Sequence, residues 1–153
     1  MRQDSRKTIN KYKIIIYILL IGIVLVFCSK FQITRVSGQS MEPTLRNRQI
    51  VLVEKCKEKY ETNNIITFTS NNYGVCVKRI KGVSGDTIEL KNGKIYRNGI
   101  ELSGYVCDEK STQTFILKEN EFFVLGDNAN ESIDSRLYGP INVSDVIGKV
   151  LAN

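Results

Sequence analysis

One block stands apart in the pattern of apolar and polar positions along this chain. From Ile14 to Cys28 no charged side chain interrupts a run dominated by isoleucine, leucine and valine, and Tyr12 and Phe31 widen it at its two ends. A run of that length is near the lower limit for a helix that crosses a bilayer. Beyond it the pattern changes to short segments rich in β-branched and aromatic residues, divided by clusters of Gly, Asn, Asp and Ser. Residues 49–54, 65–69 and 75–80 predict strands. Asn92-Gly93 and Asn98-Gly99 split Thr87 to Leu102 into a three-stranded meander, because each pair supplies the two left-handed positions of a tight hairpin turn. Residues 115–117 and 121–125 predict a further hairpin. A Gly- and Asp-rich loop runs from Gly126 to Pro140, and Val146 to Leu151 closes the chain as a strand. No long helical period and no repeat occur outside the apolar run. The fold class is therefore mainly β, with a single N-terminal transmembrane helix followed by a barrel-like or folded-over sheet assembly.

Charge placement sharpens this division. Of the formal net charge of +6, the first thirteen residues supply +4, through Arg2, Arg6, Lys7, Lys11 and Lys13 against Asp4. The excess is a topology signal rather than a nucleic-acid surface, which needs clustered basic residues with aromatics between them. It predicts a cytoplasmic tail over 1–13, an anchor over 14–29 and an extracytoplasmic domain over 30–153. A cleaved signal peptide has the same polarity, but no small-x-small cleavage site follows this run. Cys28, Cys56, Cys76 and Cys107 lack metal-ligand spacing and the chain has no His, so no metal and no cofactor are expected. Buried free thiols are the expected state of the cysteines, with a disulfide between two of the last three left open.

The candidate chemistry begins in Ser37-Gly38-Gln39-Ser40-Met41-Glu42-Pro43-Thr44-Leu45, where a flexible Gly, two hydroxyls and a Pro predict a sharp turn holding a serine. A chain without His cannot build a Ser-His-Asp triad around Ser40. The remaining option is a Ser-Lys pair, in which a neutral amine accepts the hydroxyl proton. Lys78 stands in the one lysine-bearing segment that reads as a central apolar strand, and alternation puts it on a face with Cys76 and Ile80, while Val75 and Val77 take the other. Burial there lowers its pKa from the ordinary lysine value of about 10.4 toward the range of a working base.

At these residues the chain resembles the type I signal peptidases, bacterial Ser-Lys proteases that remove signal peptides. The serine turn resembles their nucleophile box, residues 77–86 (VKRIKGVSGD) their lysine box, and residues 126–136 (GDNANESIDSR) their last box. The order of the boxes behind an anchor also matches, and the likeness spans essentially the whole chain. It implies the signal-peptidase-type (LexA-like) β-fold, with Ser40 as nucleophile and Lys78 as general base. By the same resemblance Ser132 holds the lysine amine, while Arg79, Asp127, Asp134 and Arg136 brace the site. Gly38 stands where many Gram-negative members carry a serine hydroxyl for the oxyanion, so the hole here rests more on the Ser40 backbone N–H. Ala129 replaces a common Arg, removing one ionic brace, and Ser84 replaces a Pro, loosening one turn. The implied substrates are signal peptides of secretory preproteins cut after small-x-small sites. The implied setting is the bacterial plasma membrane, with membrane lipid as the other partner and no nucleic acid. A dedicated maturation peptidase with few clients and a non-enzymatic anchored β module are the alternatives. Met41 and Leu45, beside the nucleophile, suit either lipid contact or core packing.

Overall fold

The computed structural model of the 153-residue chain describes residues 2–55 and 60–151. Helix α1 spans Arg2–Lys30, so it starts well before the apolar run. The basic segment contains no Gly or Pro to stop it, and Lys, Arg and Gln are good helix formers. Its stretch Tyr12–Lys30 has a mean hydropathy of 2.5 and none of it is buried against the rest of the protein. At about 1.5 Å per residue this stretch is about 28 Å long, close to the hydrocarbon thickness of a bilayer. The helix ends without a glycine cap. Instead its last carbonyls are satisfied by Lys55, whose N–H donates to Lys30 O (2.7 Å) and whose Nζ donates to Cys28 O (3.4 Å).

Strand β1 (Phe31–Arg35) follows at once and was not anticipated from the sequence. It pairs in full register with β2 (Ile50–Glu54), but its edge position leaves its residues largely exposed, so its burial carries no clear alternation. The remaining strands are β3 (Ile65–Ser70), β4 (Gly74–Gly82), β5 (Thr87–Lys91), β6 (Lys94–Arg97), β7 (Ile100–Val106), β8 (Thr112–Ile116), β9 (Glu121–Leu125), β10 (Ile141–Asn142) and β11 (Val146–Leu151). A single-turn helix, α2, covers Ser135–Tyr138.

These strands form an antiparallel seven-stranded sheet in the order β1-β2-β11-β3-β4-β9-β10 and a four-stranded sheet in the order β7-β6-β5-β8. The Asn-Gly meander is present, with Asn92, Gly93, Asn98 and Gly99 all at positive φ (52° to 79°). The expected hairpin of residues 115–117 with 121–125 does not form. β8 pairs with β5 in the small sheet, whereas β9 pairs with β4 and β10 in the large one. Leu117, between them, is buried and exchanges backbone hydrogen bonds with Gly85 and Asp86, so the chain changes sheets at that residue.

β9 is apolar on both faces because both are covered: Phe122 and Val124 pack with Ile66, Phe68 and Ile80, while Phe123 and Leu125 pack with Ile88, Leu90, Ile95 and Leu117. A third cluster joins Val36, Met41 and Leu45 to Val51, Val53, Ile65 and Val150. Met41 and Leu45 are 1% and 0% exposed, so they belong to this core and not to a lipid-facing surface. Cys28, Cys76 and Cys107 are free thiols, Cys28 being exposed and the other two half-buried, and Cys56 lies outside the described residues.

Candidate active site

Met41 and Leu45 anchor the serine turn from beneath. Glu42 N–H closes it on Gln39 O (3.0 Å) and Leu45 N–H on Met41 O (2.9 Å), leaving Ser40 half-exposed at the lip. Gly38 lies at φ 91°, and its N–H donates to Asn47 Oδ1 at 3.1 Å. Asn47 was missed by sequence reasoning, because nothing local ties it to a turn nine residues earlier.

β4 brings the lysine. Lys78 pairs with Ile66 of β3, shares a face with Cys76 and Ile80 as alternation predicts, and is 6% exposed. Its Nζ lies 2.7 Å from Ser40 Oγ, a hydrogen bond between residues 38 apart in sequence. Burial holds the Lys78 pKa below its ordinary value. The nearby Cys76 and Asp134 pull it back up, and the Arg136 guanidinium adds to the lowering. The shift is toward the neutral form that can take a proton.

The loop from Gly126 frames this pair. Asn128 N–H donates to Ser40 O at 3.0 Å. A Cβ at Gly126 would meet Ser132 Oγ and Ser40 O, so only glycine allows that approach. Asp134, fully buried, caps α2 and collects the loop. Its carboxylate accepts from Gly126 N–H (3.0 Å), from Ser132 Oγ–H (2.7 Å) and from Arg136 Nε and Nη2 (both 2.8 Å). The hydrogen bond of Ser132 therefore runs to Asp134, two residues along its own loop. Arg136 Nη1 and Nη2 also donate to Val106 O (2.7 Å) and Ala129 O (2.8 Å), so the arginine stitches the small sheet to the loop where the missing brace would have stood.

The second carboxylate is Asp127, which receives both arms of Arg79: Nε to Oδ1 at 2.7 Å and Nη2 to Oδ2 at 2.6 Å. Burial pushes the Asp127 carboxyl up, but its hydrogen bonds with Arg79 and Thr44 outweigh this and hold it below the ordinary range. Tyr105 Oη–H adds a bond to Asp127 Oδ1 at 3.2 Å, and burial first, then the Asp127 charge, pushes that phenol up to about 12. Tyr105 is not apparent from the sequence, since it reaches the site only through sheet packing, and Thr44, though part of the serine turn, meets Asp127 only in the fold.

A cleft of about 530 Å³ ends at Ser40 and Lys78. One wall is Gln32 to Ser37, along β1, and the other is Tyr73 with Val75 to Lys78, along β4. β4 pairs with β9 only from Arg79 onward, so Gly74 to Lys78 keep one free backbone edge beside the cleft. Both walls can pair with an extended peptide.

Comparison with known proteins shows the family. Residues 8–153 match the family described as signal peptidase, peptidase S26. The chain belongs to that family. Signal peptidase IB of Staphylococcus aureus (strain Mu50) is 33% identical over 162 residues, covering 89% of this chain and 85% of that protein. Signal peptidase I V of Bacillus subtilis (strain 168) is 30% identical over 136 residues, covering 76% of this chain and 81% of that one. A signal peptidase I from Enterococcus faecalis V583, known from a crystal structure, is 29% identical with a TM-score of 0.48, over 60% of this chain and 97% of its own. As a signal peptidase, the chain is a serine peptidase and hence a hydrolase, with one apolar N-terminal helix before a mainly β body.

Proposed function

We propose that this signal peptidase works through Ser40 as nucleophile and Lys78 as general base. The observation that carries the assignment is the 2.7 Å approach of a buried amine to the Ser40 hydroxyl, with the amine's pKa lowered chiefly by burial. The segment before the cleavage site of a secretory preprotein lies in the cleft as an added strand, with small side chains toward its walls. Neutral Lys78 takes the Ser40 proton as Oγ attacks the scissile carbonyl. The Ser40 N–H, which donates no hydrogen bond among the described residues, stabilises the oxyanion, and Asn47 fixes the neighbouring Gly38 turn. Protonated Lys78 then donates to the leaving amine, and a water activated by Lys78 releases the acyl-enzyme. Ser132 and Asp134 orient the lysine side of the pair, while Arg79, Asp127 and Arg136 hold the frame.

The basic tail over 1–13 stays in the cytoplasm, residues 14–29 anchor the enzyme, and 30–153 act on the outer face of the bacterial plasma membrane. The excess of Lys and Arg before the apolar run supports that orientation. The anchor confines the enzyme and its membrane-tethered substrate to one surface, which raises their effective concentration.

The test is cleavage of a secretory precursor bearing an Ala-x-Ala site, in detergent, by wild type, Ser40→Ala and Lys78→Ala. Wild type cuts, and each variant loses about 10³-fold or more. Undiminished cleavage by both variants would sink the assignment.

A further inference from the structure

Where the mature part of the substrate goes after the scissile bond follows from strand direction. Four antiparallel steps separate β1 from β4, so the two walls of the cleft run parallel to each other. Both run toward the dyad, β1 leading into the serine turn and β4 into Lys78. A peptide whose residues before the cut fill the cleft, and whose carbonyl meets Ser40, must run parallel to both. Its downstream residues then emerge past Ser37 and Gly38.

A second hollow, of about 380 Å³, opens at that end. It is lined by Arg35, Val36, Ser37, Gly38, Asn47 and Arg48, and it shares Arg35, Val36 and Ser37 with the cleft. Two of its six lining residues are guanidinium bearers, and Arg46 is exposed on the same turn. Arg35, Arg46 and Arg48 form no ion pair among the described residues, and the nearby Glu42 carboxylate receives the Asn47 N–H at 3.4 Å. Arg48 also holds a left-handed backbone (φ 68°), which is costly for a side chain of its kind. That conformation is kept by its N–H bonding to Val36 O (2.9 Å), with the Arg35 Nε–H reaching Arg48 O (3.4 Å). The two arginines are thus tied to each other and to the end of the cleft.

We propose that Arg35 and Arg48 form an acid-selective subsite for the mature side of the substrate, favouring Asp or Glu within the first few residues after the cut. This rests on the Ser40–Lys78 reading, since the direction of the peptide follows from where that pair acts. A peptide occupant fits better than an anionic lipid headgroup because the hollow adjoins the cleft the peptide already fills, with Arg35, Val36 and Ser37 lining both. Exposed ion pairs are individually weak, so two arginines give selectivity rather than binding strength.

The experiment uses the full chain in neutral detergent and three peptides with one Ala-x-Ala site, differing only in Glu, Gln or Lys at the second mature position. The quantity read is the kcat/KM ratio within each enzyme. Wild type should prefer Glu to Gln by about three- to tenfold, and Arg48→Gln and Arg35→Gln should each lower that ratio. The double variant should bring it near one, Arg48→Glu should invert it toward Lys, and about 0.5 M salt should weaken the wild-type preference. Equal cutting of all three peptides by wild type overturns the subsite and leaves the peptidase reading intact. A preference that survives the double variant does the same, as does one that appears only in anionic vesicles, which would assign the arginines to lipid. A wild-type preference for Lys would route the leaving segment to the other hollow beside the serine turn, lined by Glu42, Pro43, Asp127 and Asn128, and would also overturn the subsite. Absence of any cleavage overturns the peptidase reading and the subsite with it.

Discussion

Lys78 and Arg79 are neighbours on β4, yet the two faces of the strand drive their charges in opposite directions. Lys78 sits at 6% exposure against Cys76 and Ile80 with no carboxylate among the described residues hydrogen-bonded to it, and burial lowers its pKa. Arg79, on the other face, is also drawn out of water, but the Asp127 carboxylate meets it with two hydrogen bonds and raises its pKa. Desolvation without a partner makes a base, and the same desolvation with a bidentate partner makes a strut. One strand, by alternation alone, thus carries both the proposed base and the arginine proposed to brace the site.

The strongest break in this contrast is Lys78→Met. Cleavage should fall by about 10³- to 10⁴-fold, while the folded protein becomes more stable at neutral pH by about 1 kcal/mol, because a buried amine whose charge burial disfavours is replaced by an apolar chain. Thermal unfolding checks the second half. Since the folded-state pKa of Lys78 is depressed, the wild-type penalty is complete below that pKa. The gap in Tm should therefore be constant at lower pH and narrow as pH rises from the folded-state pKa toward the ordinary lysine value.

Asp127→Ala tests the other face. It leaves the Arg79 guanidinium, with 19% of its side chain exposed, facing a vacated partner, and should cost about 2–3 kcal/mol in denaturant unfolding. The depressed Asp127 pKa contributes stability that is present above the unfolded carboxylate value and lost as pH falls through the folded one. The variant should therefore lose less stability on acidification than wild type. A variant as stable as wild type would mean that Arg79 does not depend on its partner.

The pH profile sharpens the comparison further. Wild-type kcat/KM should rise with pH and level off below the ordinary lysine value, because only neutral Lys78 accepts the Ser40 proton. A flat profile across that window would separate the amine from the chemistry. The smallest effect is expected at Tyr138, whose buried hydroxyl has no hydrogen-bond partner among the described residues. Burial, then the charge of Asp134, raises its pKa far above the ordinary phenol value. Tyr138→Phe should be neutral or stabilising by up to about 1 kcal/mol, read from the same unfolding curves.

What the sequence by itself determined is what local chemistry controls. An uncharged run specifies a helix of membrane length, Asn-Gly pairs specify tight hairpins, and period-two alternation gives Lys78 its neighbours Cys76 and Ile80. The absence of His excluded an imidazole base and pointed to a Ser-Lys pair before any geometry was known. Tertiary structure alone decided the rest, because each feature depends on groups far apart in the chain. β1 is a strand only because β2 pairs with it, and β8 and β9 part company because Leu117 is held between the sheets. Met41 and Leu45 are core residues because β2 and β11 pack over them, a fact their apolarity leaves open. Ser132 bonds to Asp134, and Asn47 holds Gly38, through loop crossings that no spacing announces. Spacing along the chain sets which face a side chain takes, but its pKa is set by what the fold places on that face.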